Sequence, residues 1–405
     1  MTEANVSAGL DGGHQPLAWF GGQLASDLVE LSDDPGVLDG AGRWAVVIDF
    51  EGAVTLARFR NWVPTAATDL PGHWRGPAPS GWQSSLDQHE YCRAVAQIRA
   101  AIGRGDVYQA NLCRVLQARL PDPRRCDPLG LARLLADGNP APHLGALDIS
   151  SATAAGHGLW RPTGVHVVCA SPELFLSRRG EEVVSRPIKG TAANAGSMLA
   201  KDRAENVMIV DLVRNDLGAV AATGSVSVPE FLSLEAHPGL VHLVSGVRAR
   251  LRSEVGWREI LAATFPPGSV TGAPKSSALN IIDQLEPVPR GPYCGAIGWV
   301  DADAGTAELA VGIRTFWIDG DGDCPGHGSP GGATIRFGTG AGITWGSDAA
   351  GEWRETELKA AHLIAVAAGD SDPQPAPRRA QTSADRGRVV DGRVDDGRLE
   401  EGDGE

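Results

Sequence analysis

The chain has 405 residues, of which 42% are hydrophobic and 21% charged, an ordinary composition for a globular protein with a sizeable core. Its net charge of -14 disfavours binding to nucleic acid or to an anionic membrane surface. The polar start shows no secretory signal, no run approaches a membrane span, and the six cysteines are scattered without Cys-x-x-Cys spacing. We therefore expect a cytoplasmic protein with reduced thiols.

The first part of the chain is predicted to contain a hairpin, a linker and helices. Glu51-Gly52 is typical of a hairpin turn, and residues 64–82 are rich in Pro and Gly, as in a loop. Apolar residues recur at helical spacing after Asp87, a suitable N-cap. The predicted elements are strands over 43–50 and 53–59, a helix over 86–103, a strand over 107–120 and a short helix over 129–135. Residues 137–164 are only weakly patterned.

The second part intermixes strands and helices without strict β-α-β alternation, which favours a layered α+β fold. The predicted elements are strands over 165–169 and 174–177, a helix over 199–220, strands over 224–230 and 240–251, helices over 257–263 and 276–285, strands over 294–301, 307–318 and 333–338, and a helix over 352–368. From residue 369 onward Asp, Gly, Arg, Pro and Glu dominate, so a disordered acidic tail is predicted over 369–405.

Lys189 lies between a proline turn and Gly190, directly after a strand-like run. This is a poor place for a solvated charge and a good one for a side chain that reaches into a pocket. Loss of water there would let the amine lose its proton and act as a nucleophile. For the residue in isolation, an ordinary turn lysine at a strand end is the alternative.

Two predicted helices carry carboxylates that could hold a metal ion. Glu205 lies on an apolar stripe with Ile209, so it is either a paired core glutamate or a ligand. Glu352, Glu355 and Lys359 share one face of the last helix, as in a solvated ladder or a second ligand set. Oxygen ligands from two helices, without His or Cys, would suit Mg²⁺.

Two features near the end of the chain could hold a carboxylate group. The glycine-rich stretch over 338–342 is predicted to be a turn whose successive backbone amides cradle an anion, although a simple structural bend would look the same. Arg314 lies within a predicted apolar strand, where it is costly unless paired, and it is a natural bidentate partner for a carboxylate.

Ten sequence blocks carry these residues in one order along the chain. They are GDVYQANL (105–112), SPE (171–173), RPIKGT (186–191), DRAENVMIVDLVRND (202–216), HLVS (242–245), PGSVTGAPK (267–275), CGAIG (294–298), IRT (313–315), GTGAG (338–342) and EWRET (352–356). In this order the chain resembles the chorismate-utilising enzymes over about residues 85–368, most closely component I of the aminodeoxychorismate synthases.

The resemblance implies an α+β chorismate-binding fold of two packed antiparallel sheets with helices outside. Residues 1–84 would be a shortened N-terminal region that contributes strands to it, and 85–368 the catalytic domain. Glu205 and Glu355 would bind Mg²⁺, with Glu352 beside them, and the metal would hold the ring carboxylate of chorismate.

The resemblance also implies roles around the substrate ring. Lys189 would be the nucleophile, Glu173 the general acid that protonates the departing hydroxyl, and His242 a residue that lines the ring. Further contacts with the substrate would come from Arg314, Thr271, Lys359, Gln109 and the stretch Gly338, Thr339, Gly340 and Gly342. Trp299 stands where relatives commonly have tyrosine, so it would keep an aromatic wall there without the hydroxyl.

Two positions distinguish the reactions of such enzymes. Where relatives that add water look to carry a lysine as general base, this chain has Gln109, which cannot take a proton from water. Where relatives that make anthranilate show alanine, it has Lys189. The resemblance thus implies conversion of chorismate and ammonia to 4-amino-4-deoxychorismate, for p-aminobenzoate and folate, with ammonia supplied by a separate glutamine amidotransferase. Anthranilate synthase component I and a non-catalytic chorismate-binding subunit are the alternatives.

Overall fold

The computed structural model describes residues 15–122, 125–161, 163–192, 200–237, 240–320 and 332–371. Seven α-helices lie in these ranges: α1 (Gln88–Arg104), α2 (Pro128–Gly138), α3 (Ser151–Gly156), α4 (Ala200–Gly218), α5 (Trp257–Thr264), α6 (Lys275–Leu285) and α7 (Ala349–Ala367). None of them combines the length and apolar character that a membrane span requires.

The same ranges contain twenty strands: β1 (Leu17–Phe20), β2 (Gln23–Ser32), β3 (Arg43–Ile48), β4 (Val54–Pro64), β5 (Trp74–Arg75), β6 (Gln83–Ser84), β7 (Gln109–Arg119), β8 (His143–Ile149), β9 (Val165–Ser171), β10 (Leu174–Arg179), β11 (Glu182–Arg186), β12 (Ile188–Ala192), β13 (Ser227–His237), β14 (Leu240–Arg250), β15 (Gly272–Ala273), β16 (Ala296–Asp301), β17 (Thr306–Val311), β18 (Thr315–Asp319), β19 (Thr334–Ile343) and β20 (Asp370–Ser371). Eighteen of these strands join one continuous antiparallel network, and β5 pairs with β20. The predicted α+β class is confirmed.

The start of α1 follows directly from the sequence. The Asp87 carboxylate accepts a hydrogen bond from the backbone N–H of Glu90, and the Glu90 side chain accepts one from the Asp87 N–H. This capping box satisfies two backbone donors that a helix start leaves open. Gly105, with φ of 83°, ends the helix in a conformation that favours glycine. The helix therefore ends close to the predicted residue 103.

Several predicted elements differ from the structure. The predicted strand over 307–318 breaks into β17 and β18, because the chain bends at residues 312–314. The weakly patterned stretch over 137–164 contains β8 and α3, and β8 pairs with both β1 and β9. The first residues of the predicted tail form β20, and the rest of it, residues 372–405, lies outside the described part of the chain.

The glycine-rich stretch over 338–342 is a strand, contrary to the predicted turn. It belongs to β19, which pairs with β7 over ten residues, from Thr334 opposite Arg119 to Ile343 opposite Ala110. On its other edge β19 pairs with β18 only as far as Phe337. The outer edge of β19 beyond Phe337 is therefore not covered by β18.

A buried arginine of β7 connects this strand to helix α7. Arg114 donates to the Thr356 hydroxyl and to the Ser84 hydroxyl, each at 3.0 Å, and forms an ion pair with Glu357. Its guanidinium also stacks on the Trp353 ring at 4.0 Å. These contacts fix α7 beside β19. They place Glu355 and Lys359 next to the glycine-rich edge, which is the outer edge of β19 over residues 338–342.

Candidate active site

Lys189 and Glu173 meet at Ser269. The Lys189 Nζ donates to the Ser269 backbone carbonyl at 2.6 Å, and the Ser269 hydroxyl hydrogen-bonds the buried Glu173 carboxyl. Lys189 reaches this point from β12, Glu173 from the turn between β9 and β10, and Ser269 from a short 3₁₀ turn. Three segments distant in sequence thus converge on the predicted nucleophile and the predicted acid.

Burial favours the uncharged form of both groups. It lowers the pKa of Lys189, although the nearby Glu173 and Glu205 carboxylates oppose the shift. It raises the pKa of Glu173, although Lys189 opposes that shift. A neutral amine is nucleophilic and a protonated carboxyl can donate a proton, so both pKa shifts are in the direction that the predicted roles require.

A chain of hydrogen bonds joins Gln109 to Lys189. The fully buried Gln109 donates through Nε2 to the Asn111 Oδ1 at 3.2 Å, and the Asn111 Nδ2 donates to the Ser269 carbonyl at 3.2 Å. That carbonyl is the one that accepts from Lys189. The Gln109 Oε1 is buried and has no hydrogen-bond partner among the described residues. It is available to a small donor.

The three predicted metal ligands occupy different environments. Glu205 and Glu355 both act on the charge of Lys189, so both lie in its neighbourhood. Glu352 is buried and acts, together with Glu355, on Tyr91. Glu205 is half-buried on α4, one turn before the buried Ile209.

These carboxylates fit a metal ion with few protein ligands. In the part of the chain that the structure describes, no three His, Cys, Asp or Glu side chains are grouped so that they could hold a metal. Two carboxylates near Lys189 fit Mg²⁺, which usually keeps several waters and takes one or two carboxylates. The roles of Glu205, Glu355 and Glu352 as ligands stay predictions.

The outer edge of β19 faces the site. Lys359 donates to the Gly340 carbonyl at 3.0 Å and forms an ion pair with Glu355 at 2.5 Å. Because the N–H and C=O of one strand residue point to the same edge, the Gly340 amide also points away from β7. A Cβ at Gly342 would lie 2.5 Å from the Gln109 Nε2, and Gly338 packs against the Tyr293 ring. The Thr339 hydroxyl donates to the Thr356 carbonyl.

Arg314 lies at the bend between β17 and β18 rather than inside a strand. Its φ of 52° is in the left-handed region, which is uncommon for a residue other than glycine and costs about 1–3 kcal/mol. Burial lowers its pKa, and no carboxylate of the described residues offsets that shift. A strained, partly buried arginine without an acidic neighbour suits an anionic ligand.

His242 and Thr271 are buried next to these groups. His242 lies in β14 opposite Thr191 of β12, two residues after Lys189. The Thr271 hydroxyl donates to the Pro267 carbonyl at 2.8 Å, and the Thr271 carbonyl accepts from the Asn111 N–H. Thr271 thus anchors the segment that presents Ser269.

Trp299 does not form a wall of this site, contrary to the sequence-based expectation. Its ring stacks on the Arg43 guanidinium, with 4.5 Å from the guanidinium carbon to the ring centroid, beside Gly21. The aromatic residue against the glycine-rich edge is instead Tyr293, which is buried. Tyr293 precedes the block over 294–298 and Trp299 follows it, and Cys294 between them has a φ of 65°.

Sequence reasoning did not single out Asn111 and Ser269, although both lie in quoted blocks. A buried Asn inside an apolar strand was the available signal for Asn111. The role of Ser269 rests mainly on its backbone carbonyl, which every residue type has, so no sequence pattern could reveal it.

A profile of chorismate binding enzymes matches residues 58–365. Component 1 of aminodeoxychorismate synthase from Klebsiella aerogenes is 36% identical over 351 residues, which cover 82% of this chain and 70% of that protein. Component 1 of anthranilate synthase from Streptomyces coelicolor is 35% identical over 313 residues, covering 74% of this chain and 55% of the relative. The chain thus spans little more than half of that relative's length.

Two solved structures share the fold. Anthranilate synthase component I from Streptococcus pneumoniae has a TM-score of 0.65 at 21% identity, covering 87% of this chain and 91% of that one. The menaquinone-specific isochorismate synthase from Escherichia coli has a TM-score of 0.66 at 17% identity, covering 89% and 90%. At such identities the likeness concerns the architecture alone.

Proposed function

The chain belongs to the chorismate binding enzyme family, and from this premise we propose that it is component I of an aminodeoxychorismate synthase. It would convert chorismate and ammonia to 4-amino-4-deoxychorismate, in the synthesis of p-aminobenzoate and folate. Relatives named aminodeoxychorismate synthase component 1, at 32–36% identity, support this assignment. The scattered cysteines keep the cytoplasm as the expected compartment.

The observation that carries the proposal is the arrangement of Lys189, Glu173 and Ser269. The Lys189 amine is held 2.6 Å from a carbonyl, beside a buried carboxyl, and burial favours the neutral form of both groups. An amine that is neutral and fixed beside a proton donor can attack a ring carbon while a hydroxyl departs. Gln109, the other distinguishing residue, has no basic group that could activate water.

The proposed sequence has two displacements. The Lys189 amine forms a bond to C2 of chorismate as the C4–O bond breaks, and Glu173 gives its proton to the departing hydroxyl, which leaves as water. Ammonia then forms a bond to C4, and the C2–N bond to Lys189 breaks. His242 would line the ring, and Arg314, the Gly340 amide and Lys359 would hold the substrate's side-chain carboxylate.

Mg²⁺ held by Glu205 and Glu355, with Glu352 nearby, would offset the charge of the ring carboxylate when it is bound. The Glu355–Lys359 pair keeps the Glu355 carboxylate directed towards the glycine-rich edge. Thr271 orders the Ser269 turn, and Gln109 presents its Oε1 to the incoming nucleophile. Glu205 approaches from the opposite element, α4, so the two proposed ligands lie on separate helices.

The test is chorismate turnover with ammonium and Mg²⁺, with and without added aminodeoxychorismate lyase. We expect p-aminobenzoate to form only when the lyase is present, and Lys189→Ala to lose C4 amination. Mass spectrometry of a digest after reaction with a chorismate analogue should find an adduct at Lys189. Full ammonia-dependent turnover in Lys189→Ala would contradict the proposal.

Anthranilate synthase component I is the second candidate, because relatives of that name are 35–37% identical to the chain. The same assay separates the two. Anthranilate is fluorescent and forms with release of pyruvate without a lyase, and its appearance with the wild-type chain would favour this candidate.

A glutamine amidotransferase subunit is the proposed partner. We expect ammonium alone to support turnover, and glutamine to support it only after such a subunit is added. Turnover of glutamine by the chain alone would contradict this part of the proposal.

A further inference from the structure

A small cavity lies beside Glu173, and Lys189 is not among the residues that line it. Its volume of about 20 Å³ is enough for one water molecule. Among its lining residues, the polar ones are Glu173, Ser185, Asp216, Thr264 and Ser269. A buried water needs two to four polar partners, and this lining offers them.

Asp216 is a second buried carboxyl at this cavity. It comes from the last turns of α4 and forms an ion pair with Lys275, the first residue of α6, at 2.9 Å. Burial raises the pKa of Asp216, and Lys275 opposes that shift. The side chains of Asp216 and Lys275 keep 11% and 18% of their surface exposed, so the pair connects the cavity with solvent.

We propose that Asp216 returns a proton to Glu173 through a water in this cavity after each turnover. The inference rests on the proposed function in one respect, the role of Glu173 as the acid that protonates the departing hydroxyl. The charged groups that face Glu173 are Lys189 and His143, and the one that faces Asp216 is Lys275.

The need for a return path follows from the balance of protons. When the C4–O bond breaks, the proton of Glu173 leaves with the hydroxyl as water, and a carboxylate remains. On this proposal the next proton reaches Glu173 through the cavity. A proton from solvent passes to the Asp216 carboxylate beside Lys275, and the cavity water takes it from Asp216 as it gives one to Glu173.

The experiment compares the first turnover with later ones in Asp216→Asn, by rapid quench with chorismate, ammonium and Mg²⁺. The first turnover uses the proton that the proposed acid role assigns to Glu173 at the start, so it should stay within about two-fold of the wild-type rate. Later turnovers should slow about 10- to 100-fold, a burst of one product per site, with KM for chorismate unchanged. A purely structural role would slow the first turnover as well.

Two further variants complete the test. Asp211, on the same helix, has a side chain that is 78% exposed. Asp211→Asn removes this exposed carboxylate and should leave the rates of the first and the later turnovers unchanged. Ser185→Thr adds a methyl group that displaces the cavity water and keeps the Asp216–Lys275 pair, so it should give the same burst even if Asp216→Asn does not fold. Equal slowing of first and later turnovers, or wild-type cycling in both cavity variants, overturns the inference.

The outcome is separable from the proposed function. Product identity in the wild type decides between C4 amination and anthranilate formation. The burst depends only on whether Glu173 must regain a proton, so it can be present when the product is anthranilate and absent when the product is aminodeoxychorismate.

Discussion

Ser269 holds three functional side chains through two of its atoms. Its carbonyl accepts from Lys189 and Asn111, and its hydroxyl bonds Glu173. Through Asn111 the same carbonyl is linked to Gln109. Lys189 and Gln109, the two residues that distinguish reactions in such enzymes, are therefore connected by hydrogen bonds. A change at either one is expected to alter the position of the other.

Replacing Lys189 with Met should cost activity and raise stability at neutral pH. We expect chorismate turnover to fall by at least about 100-fold, since the nucleophile is lost. Burial lowers the pKa of Lys189 in the folded protein, so the unfolded chain binds more protons between that pKa and the ordinary one. The stability of the wild type therefore rises with pH in this window, and the variant lacks that rise.

Thermal melts from pH 7 to pH 10 check the sign. The Tm of Lys189→Met should exceed that of the wild type at pH 7, and the difference should shrink as the pH rises. A variant less stable than the wild type at pH 7, with a constant difference, would show that the amine is not penalised by burial.

At the scale of elements, the β7–β19 pair organises the site. Its ten paired residues place Asn111 opposite Gly342, and the Gln109 side chain lies beside Gly342. Helix α7 is held against this pair through Arg114 of β7. The glycines are needed because the neighbours are close: a Cβ at Gly340 would lie 2.6 Å from the Cys113 Sγ and 2.6 Å from the Leu112 carbonyl oxygen. Real side chains do not tolerate such approaches.

Gly340→Ala should therefore loosen the β7–β19 pair and displace the Lys359 contact. We expect a loss of about 1–3 kcal/mol in the free energy of unfolding and a higher KM for chorismate. The matched control is Gly346→Ala, since a Cβ there would meet open space. Denaturant unfolding and steady-state kinetics measure the two effects. Equal free energies of unfolding and equal KM values in the two variants would show that β7 moves to accommodate the added Cβ without loss of stability.

At the scale of the whole molecule, the last described residues close the fold. The Trp74 Nε1 donates to the Ala367 carbonyl at 2.7 Å, the Gly76 N–H to the Gly369 carbonyl at 3.2 Å, and β20 pairs with β5. Trp74 is fully buried, so these contacts cover a large apolar side chain. The stability of the fold therefore depends on the chain as far as β20.

Ending the chain after Ser371 should leave Tm and chorismate turnover unchanged, because residues 372–405 have too few apolar side chains to form a core. Ending it after Ala365 should lower Tm by several degrees, since it removes the partners of Trp74 and Gly76. Differential scanning calorimetry of both variants checks the difference. A loss of turnover in the longer variant would assign the acidic segment a role in the site.

The sequence predicts best those elements whose ends and apolar spacing are set by neighbouring residues. Helix α1 was foreseen because Asp87 caps it and its apolar residues follow the helical period. Strand β8 was not, because its seven residues lie in a stretch rich in Gly and Ala and are held mainly by the neighbours β1 and β9. Site residues were predicted from resemblance, whereas the contact of Asn111 with Ser269, which spans 158 positions, depends on the assembled fold.

The carbonyl that holds Lys189 has one property that a carboxylate in its place would lack. A backbone carbonyl only accepts hydrogen bonds. It can therefore hold both the neutral and the protonated amine through an N–H, and it does not take a proton from either form. In the neutral amine the remaining electron pair makes a tetrahedral angle with that N–H, so it does not point at Ser269. The hydrogen bond thus limits the direction of attack, and the substrate's reacting carbon should not lie on the carbonyl side of the nitrogen.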